Sequence, residues 1–273
     1  MAIITISREL AALGDETAHA LAAKLNYRLV DKHELEERIK SFGVEDGKFR
    51  KFDEKKPSFW MALSQDRDDY IHFLTSAILA EAGDGNAVFV GRGAAMILKN
   101  VPGVFSVFLA APPEIRTERV KSYFHCDEKR ARQILDQSDH DREGFYRAFF
   151  DVRWKEDSHY HLSMNTGHLH PDICADIVKY MRDSIMTGEL EAKCIQRIKE
   201  LTLGQKIKHG VIYGKGIPVH FFEAVVSGNK VSLYGIANTQ ALIEAAVLAA
   251  SELAPEYSLE PEIQVVHDYS IMP

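Results

Sequence analysis

The first two thirds of the chain alternate between short, uniformly apolar runs and longer stretches with apolar residues at helical spacing. The short runs are typical of strands buried on both faces. The predicted strands with this apolar character are residues 1–6, 87–90 and 104–110; residues 27–30 are predicted as a short strand or extended turn, and residues 161–164 as a last short strand. The helical pattern covers residues 15–25, 32–40, 60–82, 94–99, 114–124, 127–136, 142–150 and 171–186. Residues 45–57 are charged and lack an apolar period, which predicts a loop.

Strands that are apolar throughout and separated by helices indicate an α/β fold, a parallel sheet with helices on both faces. Ligands of such sheets bind beyond the carboxyl ends of the strands. Arg8, Asp31, Arg92 and Asn165 each follow a predicted strand. We therefore expect the loops that carry them to converge on one crevice.

The pattern changes near residue 190. A short helix is predicted over residues 195–201, followed by strands over 220–226 and 231–236 around a tight turn at 227–230. An alanine-rich amphipathic helix over 238–253 and a strand over 262–267 complete the chain. This order does not fit a parallel sheet, so we predict two domains, residues 1–188 and a small α+β domain over residues 189–273.

The N-terminal strand, loop and helix have the layout of a phosphate-binding P-loop, G-x-x-x-x-G-K-[ST]. With Gly14 as the second glycine, Glu9 replaces the first, Asp15 the lysine and Glu16 the hydroxyl residue. Glycines let backbone N–H groups close around phosphate oxygens. We therefore expect the side chains of residues 11–13 to crowd that approach and Asp15 to repel a triphosphate, at a cost of several kcal/mol at ~4 Å.

The net charge, the cysteines and the absence of long apolar stretches limit the expected partners and location of the protein. The net charge of −7 argues against nucleic acid as a general partner. The three cysteines are far apart, fit no metal spacing and suggest a reducing compartment. The sequence shows no signal peptide and no apolar stretch long enough for a membrane span, so a cytoplasmic location is expected. The sequence is compatible with a homo-oligomer.

Several segments, taken in order, resemble the cytidylate kinase-like family, a branch of the nucleoside monophosphate kinases. The resemblance covers about residues 1–185 and rests on short motifs at 4–9 (ITISRE), 30–32 (VDK), 90–93 (VGRG), 108–112 (FLAAP), 116–119 (RTER), 139–142 (DHDR) and 165–166 (NT). The family keeps a glycine-rich phosphate loop, from which this chain departs with Ala11-Ala12-Leu13-Gly14-Asp15.

The resemblance implies phosphate transfer from ATP, with Mg²⁺, to a nucleoside monophosphate or a similar small acceptor. It implies catalytic roles for Arg92, Arg142 and Asp139, and acceptor contacts from Asp31, Arg92 and Asn165. The donor nucleotide would contact residues of the loop and the first turn of the next helix, namely Ser7, Arg8, Gly14, Asp15 and Thr17. The alternative is a catalytically degenerate kinase that senses a nucleotide or another anion and needs neither ATP nor Mg²⁺. A third possibility is a structural protein whose arginines pair with nearby acids.

Other charged residues favour structural interpretations. Arg116 and Arg119 are interpreted as an exposed helix face, and the alternative role of Asp31 is to cap the next helix only. Two H-x-H pairs, at residues 159–161 and 168–170, could each hold a metal ion on a strand. No carboxylate or cysteine at fixed spacing accompanies them, so no metal site is predicted.

The C-terminal segment resembles a BON domain. Residues 225–236 match the hairpin of that family, with Gly228 in the turn and Gly235 on the second strand, and residues 241–253 match its helix. The resemblance implies a binding module, coupled to the kinase-like domain if the latter is a sensor.

Overall fold

The computed structural model describes residues 2–44, 54 and 65–266. The chain divides into two compact units, Met1–Ile195 and Gln196–Pro273. The predicted loop over residues 45–57, apart from Glu54, and the first part of the helix predicted over residues 60–82 lie outside the described residues. No helix within the described residues combines the length and apolar character that a bilayer crossing requires.

A five-stranded parallel sheet forms the centre of the first unit, in the order β2-β3-β1-β4-β5. Its strands are β1 (Ile3–Arg8), β2 (Arg28–Val30), β3 (Ala87–Val90), β4 (Val104–Ala110) and β5 (Leu162–Asn165). Strand β1 lies in the middle and pairs with β3 on one side and β4 on the other. The predicted parallel sheet is therefore confirmed, and every strand of this sheet ends at the same edge.

Helices cover this sheet and connect its strands. They are α1 (Gly14–Leu25), α2 (Lys32–Ser41), α3 (Gln65–Gly83), α4 (Ala94–Ile97), α5 (Pro113–Phe124), α6 (Glu128–Phe150) and α7 (Pro171–Ile185). A short 3₁₀ turn, Asp157–His159, precedes β5. Side chains of β1 such as Ile4 and Ile6 pack with those of α1 and α7 into one fully enclosed core. Burying each such aliphatic side chain stabilises the fold by roughly 1.5–3 kcal/mol.

Helix α6 corrects the sequence prediction. Residues 127–136 and 142–150 were predicted as two helices, but Glu128–Phe150 is one continuous helix of 23 residues. The polar stretch between the two predicted pieces contains no glycine or proline to break a helix. Its residues Ser138 and Asp139 instead bind arginines of the site described below. Polarity there reflects side-chain contacts and not a change of backbone conformation.

The second unit has its own core on a three-stranded sheet, β6 (His220–Ser227), β7 (Lys230–Ala237) and β8 (Ser258–Val265). Strands β6 and β7 form the predicted hairpin, and β8 joins β7 in parallel through helix α9 (Gln240–Leu253). The helix predicted over residues 195–201 is much longer. Helix α8 is Gly188–Lys208 and continues as a π-helical turn, His209–Gly214.

Candidate active site

Arginines from three separate elements surround one point beyond the carboxyl ends of β1 and β3. Arg8 is the last residue of β1, and Arg92 lies in the turn that follows β3. Arg142 comes from the middle of α6. All three line the same cavity of 650 Å³. The structure thus brings together three of the residues singled out from the sequence.

The carboxylate of Glu54 occupies the centre of this arginine cluster. The backbone N–H of Arg92 donates to Oε1 of Glu54 at 2.7 Å. Nη1 of Arg8 lies 3.4 Å from both carboxylate oxygens, and Nε of Arg142 lies 3.4 Å from Oε2. Burial alone would raise the pKa of Glu54, but the charges of Arg8, Arg142 and Arg92 together lower it to about 2. We call Arg8, Arg142 and the N–H of Arg92 the anion cradle.

Two glycines allow the cradle to close. A Cβ atom on Gly14 would lie 2.4 Å from Cγ of Arg8, and one on Gly91 would lie 2.4 Å from both the Arg8 guanidinium and the Glu54 carboxylate. Gly91 also has φ +69, a conformation that L side chains rarely adopt. A side chain at either position would displace Arg8, so both glycines have a steric role in the site.

A second cavity, of 980 Å³, adjoins the first and shares Arg8 and Arg142 with it. It opens along the phosphate loop, and Gly14 and Asp15 line it. Asp15 is exposed, and its carboxylate lies 3.4 Å from Nε of Arg8. An acid of the loop therefore already engages one of the cradle arginines.

The backbone of the loop has kept a shape that glycines favour. Ala11 has φ 61 and Leu13, the N-cap residue of α1, has φ 54; both are left-handed, and the Leu13 side chain makes no capping hydrogen bond to the first turn of α1. The expectation that residues 11–13 all crowd the approach of a phosphate is wrong for Ala12, whose side chain is buried in the core. Arg119 donates to the carbonyl of Ala11 at 3.0 Å. The loop is therefore fixed by side chains from α5.

An ion network lies beside the loop and includes Asp139. Arg116 binds Asp139 through both Nη atoms, at 3.0 and 2.8 Å, and Lys155 binds it at 2.9 Å. Glu9 accepts from Lys155 at 2.5 Å and lies 3.2 Å from Arg116. Burial raises the pKa of Asp139, but Arg116 and Lys155 outweigh that effect and lower it. Arg116 also donates to the carbonyl of Leu10 at 2.8 Å.

The remaining predicted site residues lie outside the lining of these two cavities, as far as the chain is described. Asp31 forms a capping box at the start of α2, where it accepts from the N–H of His33 at 2.6 Å. Asn165 accepts from the N–H of Gly167 at 2.8 Å. The hydroxyl of Thr17 donates to the carbonyl of Leu13, and that of Ser7 lies 3.4 Å from the hydroxyl of Tyr146. Each side chain thus has a local structural contact.

Sequence reasoning missed Glu54 and misjudged Arg116. Arg116 was interpreted as part of an exposed face, but it is 4% exposed. Its position four residues before the buried Val120 was an available signal, because residues i and i+4 share one face of a helix. No sequence signal pointed to Glu54, which lies in a charged segment 46 residues from Arg8.

The histidine pairs do not form a metal site in the described part of the chain, where no group of three or more His, Cys, Asp or Glu side chains is placed to hold an ion. Nδ1 of His161 accepts from the backbone N–H of Ser106 at 3.0 Å. His170 pairs with Asp172 at 3.3 Å.

Comparisons with known proteins agree with this architecture. The model of the cytidylate kinase-like family matches residues 3–168, more than half of the chain. The structure of an uncharacterized protein from Eubacterium ventriosum is similar, with TM-score 0.54 and 24% identity over 67% of this chain and 99% of that chain. A shikimate kinase from Bacteroides thetaiotaomicron matches with TM-score 0.42 and 15% identity, over 67% of this chain and 98% of that one. At these identities the likeness concerns the fold alone. A search of curated proteins found no match.

Proposed function

This chain belongs to the cytidylate kinase-like family, and we propose that its first unit binds a nucleotide or another small phosphorylated ligand at the anion cradle. The observation that carries the proposal is the convergence of two guanidinium groups and a backbone N–H on one carboxylate. Such charge-assisted contacts recognise carboxylates and phosphates. The cradle lies beyond the carboxyl ends of the strands, where sheets of this kind bind ligands.

We further propose that phosphate transfer from ATP is weak or absent. The loop carries Asp15 where a P-loop has its lysine, and that carboxylate pairs with Arg8. The adjacent hydroxyl that would contact magnesium is replaced by Glu16, and the hydroxyl of Thr17 is buried and donates to Leu13. The residues present therefore do not fit a magnesium triphosphate, and the protein acts as a sensor or binding protein for its ligand.

A second candidate function is phosphate transfer to a nucleoside monophosphate or a similar acceptor. One observation favours it: Ala11 and Leu13 keep the left-handed backbone of a phosphate loop without glycine. Phosphoryl transfer depends mainly on positioning and on positive charge around the moving group. Arg92 and Arg142 would supply that charge, while Asp31 and Asp139 would orient the acceptor.

Thermal unfolding with and without nucleotides tests the proposed binding. A ligand that binds only the folded protein raises the melting temperature by mass action. We expect nucleoside mono- and triphosphates to raise it, and Arg142→Gln to abolish the shift. Arg132→Gln is the matched control, because Arg132 lies on the same helix but is exposed, pairs with Glu128 and lines neither described cavity. Failure of every nucleotide and of inorganic phosphate would refute binding at the cradle.

A coupled assay with ATP and a panel of monophosphates separates the two candidate functions. We expect no turnover above the rate of Arg142→Gln. Sustained turnover that depends on Arg142 would establish the second candidate instead. Asp15→Lys is informative in both cases, because it removes the acid that holds Arg8 and restores a basic residue to the loop. It is expected to tighten ATP binding, with Asp15→Asn as the control for loss of the acid alone.

The second unit supports a more general proposal, that it is a BON-like binding module. Strands β6 and β7 form a hairpin with Gly228 at φ 58 in the turn, and Gly235 lies on the second strand. Helix α9 packs on this sheet. Deletion of residues 196–273 tests a regulatory role: if nucleotide binding by the first unit is unchanged, the second unit does not modulate it.

A further inference from the structure

We propose that Glu54 is a specificity-determining residue, whose carboxylate occupies a cradle built for a larger, tetrahedral oxyanion. The inference rests on the proposed function and names its ligand class: a phosphate dianion, as in a phosphomonoester, binds where Glu54 now lies. Ligands that offer only a carboxylate do not displace Glu54. The width of the cradle, an unsatisfied donor within it and the energetics of competition for it each support this role of Glu54.

The cradle is wider than the carboxylate it holds. Charge-assisted N–H···O contacts are normally about 2.7–2.9 Å long. Only the contact from the N–H of Arg92 to Glu54, at 2.7 Å, has that length. The contacts of Glu54 with Arg8 and Arg142 are all 3.4 Å. Glu54 therefore neutralises the two guanidinium groups without filling the space between them.

Among the described residues, one donor of the cradle has no hydrogen-bond acceptor. Nε of Arg142 is buried and makes a long ionic contact with Glu54, and no described residue accepts a hydrogen bond from it, while Nη1 donates to the hydroxyl of Ser138. The Arg142 side chain is 12% exposed. A buried donor of a charged group without a partner is costly, so its presence calls for an explanation. A tetrahedral phosphate offers a further oxygen, which could reach Arg142 while two others contact Arg8 and the N–H of Arg92.

Glu54 also sets a threshold for ligands from solution. A group tethered to the chain, such as the Glu54 carboxylate, has an effective concentration in the millimolar range at its site. A free carboxylate of equal charge and similar contacts therefore does not displace Glu54 at lower concentrations. A dianion adds charge and a further acceptor oxygen, and both favour exchange. The apparent affinity is nevertheless the intrinsic affinity multiplied by the fraction of protein in which Glu54 has left the cradle. It is therefore low as long as Glu54 rarely leaves. Removing the charge of Glu54 must therefore tighten anion binding and relax its selectivity.

Calorimetric titration with inorganic phosphate and with acetate, at about pH 8, tests this inference. We expect Glu54→Gln to bind phosphate at least tenfold more tightly than the natural protein and to gain measurable acetate binding. Glu81→Gln is the matched control, because Glu81 also lies between two arginines, Arg28 and Arg38, each at 2.6 Å. It does not line either cavity as described here, so its phosphate affinity should remain unchanged.

A measurement on the natural protein covers the case in which Glu54→Gln does not fold. Carbodiimide labelling of carboxylates, read by mass spectrometry, should increase at Glu54 when phosphate saturates the protein, with Glu81 unchanged. Equal phosphate affinity in Glu54→Gln, or labelling of Glu54 that stays constant or falls at saturating phosphate, would overturn the inference while leaving ligand binding at the cradle intact. Phosphate binding by neither protein would overturn both proposals.

Discussion

The left-handed backbone of Ala11 leads to a stability prediction with an unusual sign. Alanine normally resists this conformation because its Cβ approaches the following carbonyl oxygen, at a cost of roughly 1–2 kcal/mol. Ala11 has φ 61 and is held there by Arg119, which donates to its carbonyl oxygen. We therefore expect Ala11→Gly to remove strain without removing a hydrogen bond. The matched control is Ala23→Gly, at an exposed position inside helix α1.

The magnitudes follow from opposing contributions at the two sites. Glycine in place of Ala23 costs about 1 kcal/mol, because it loses more conformational entropy than alanine when the helix forms. At Ala11 a similar entropic cost and the loss of one partly buried methyl, under ~0.8 kcal/mol, oppose the 1–2 kcal/mol of relieved strain. The two variants should thus differ by roughly 0.2–2 kcal/mol, centred on about 1 kcal/mol, with Ala11→Gly the more stable and close to the natural protein.

Urea unfolding followed by tryptophan fluorescence measures this difference. Both tryptophans, Trp60 and Trp154, belong to the first unit, so the signal reports on the unit that contains the loop. If Ala11→Gly lost as much stability as Ala23→Gly, the left-handed conformation of Ala11 would not be strained. The inference that the loop keeps its shape against the preference of its sequence would then be wrong.

Three further predictions concern other parts of the structure. Arg116→Gln should destabilise the first unit by about 3 kcal/mol, the lower end for breaking a buried ion pair, because Glu9 and Asp139 lose their more buried cation and keep Lys155. Arg132→Gln on the exposed face of α6 should cost under ~0.5 kcal/mol in the same urea assay. The pKa of Glu54 is about 2, below its ordinary value of 4.5. The ionised carboxylate therefore contributes about 3 kcal/mol to the free energy of unfolding above pH 4.5, and this contribution is lost as the pH falls towards 2. The stability difference between the natural protein and Glu54→Gln should shrink from pH 5 towards pH 2. Gly204→Ala should lower the melting temperature of the second unit, measured by circular dichroism, although alanine favours helices, because its Cβ would lie 2.3 Å from a backbone carbonyl of β6. Gly188→Ala, at a position with open space around it, should be neutral or stabilising.

The sequence was most informative where physical constraints are local. Strand β4 is apolar except for Ser106 because both faces of a parallel sheet are covered, and its predicted range, 104–110, is the observed one. The same reasoning placed Arg8 and Arg92 beyond strand ends, where the structure brings them together. The turn at Gly228 followed from the residues that a tight hairpin requires.

Predictions were weaker where a long-range contact decides the role of a polar residue. The polar stretch in the middle of α6 has no apolar period, so it suggested a break, but its side chains are polar because they bind arginines. Arg116 belongs to a helix with many charged residues, and its contacts with Asp139, Glu9 and the carbonyl of Leu10, all distant along the chain, distinguish it from them. In neither case does the pattern of residues along the chain identify the arginine or carboxylate that forms the contact.

For this protein, the sequence by itself determined the parallel sheet, the edge of the sheet at which Arg8 and Arg92 lie and the loss of the lysine and glycines from the phosphate loop. Only the tertiary structure decided that Glu54 completes the arginine cluster and that Ala11 and Leu13 keep the backbone of the loop. The physical reason is the range of the interactions. Burial of both faces of a strand and the geometry of a tight turn depend on residues close together in the sequence, so both produce a recognisable local pattern of residue types. A buried ion pair instead joins residues whose separation along the chain is arbitrary.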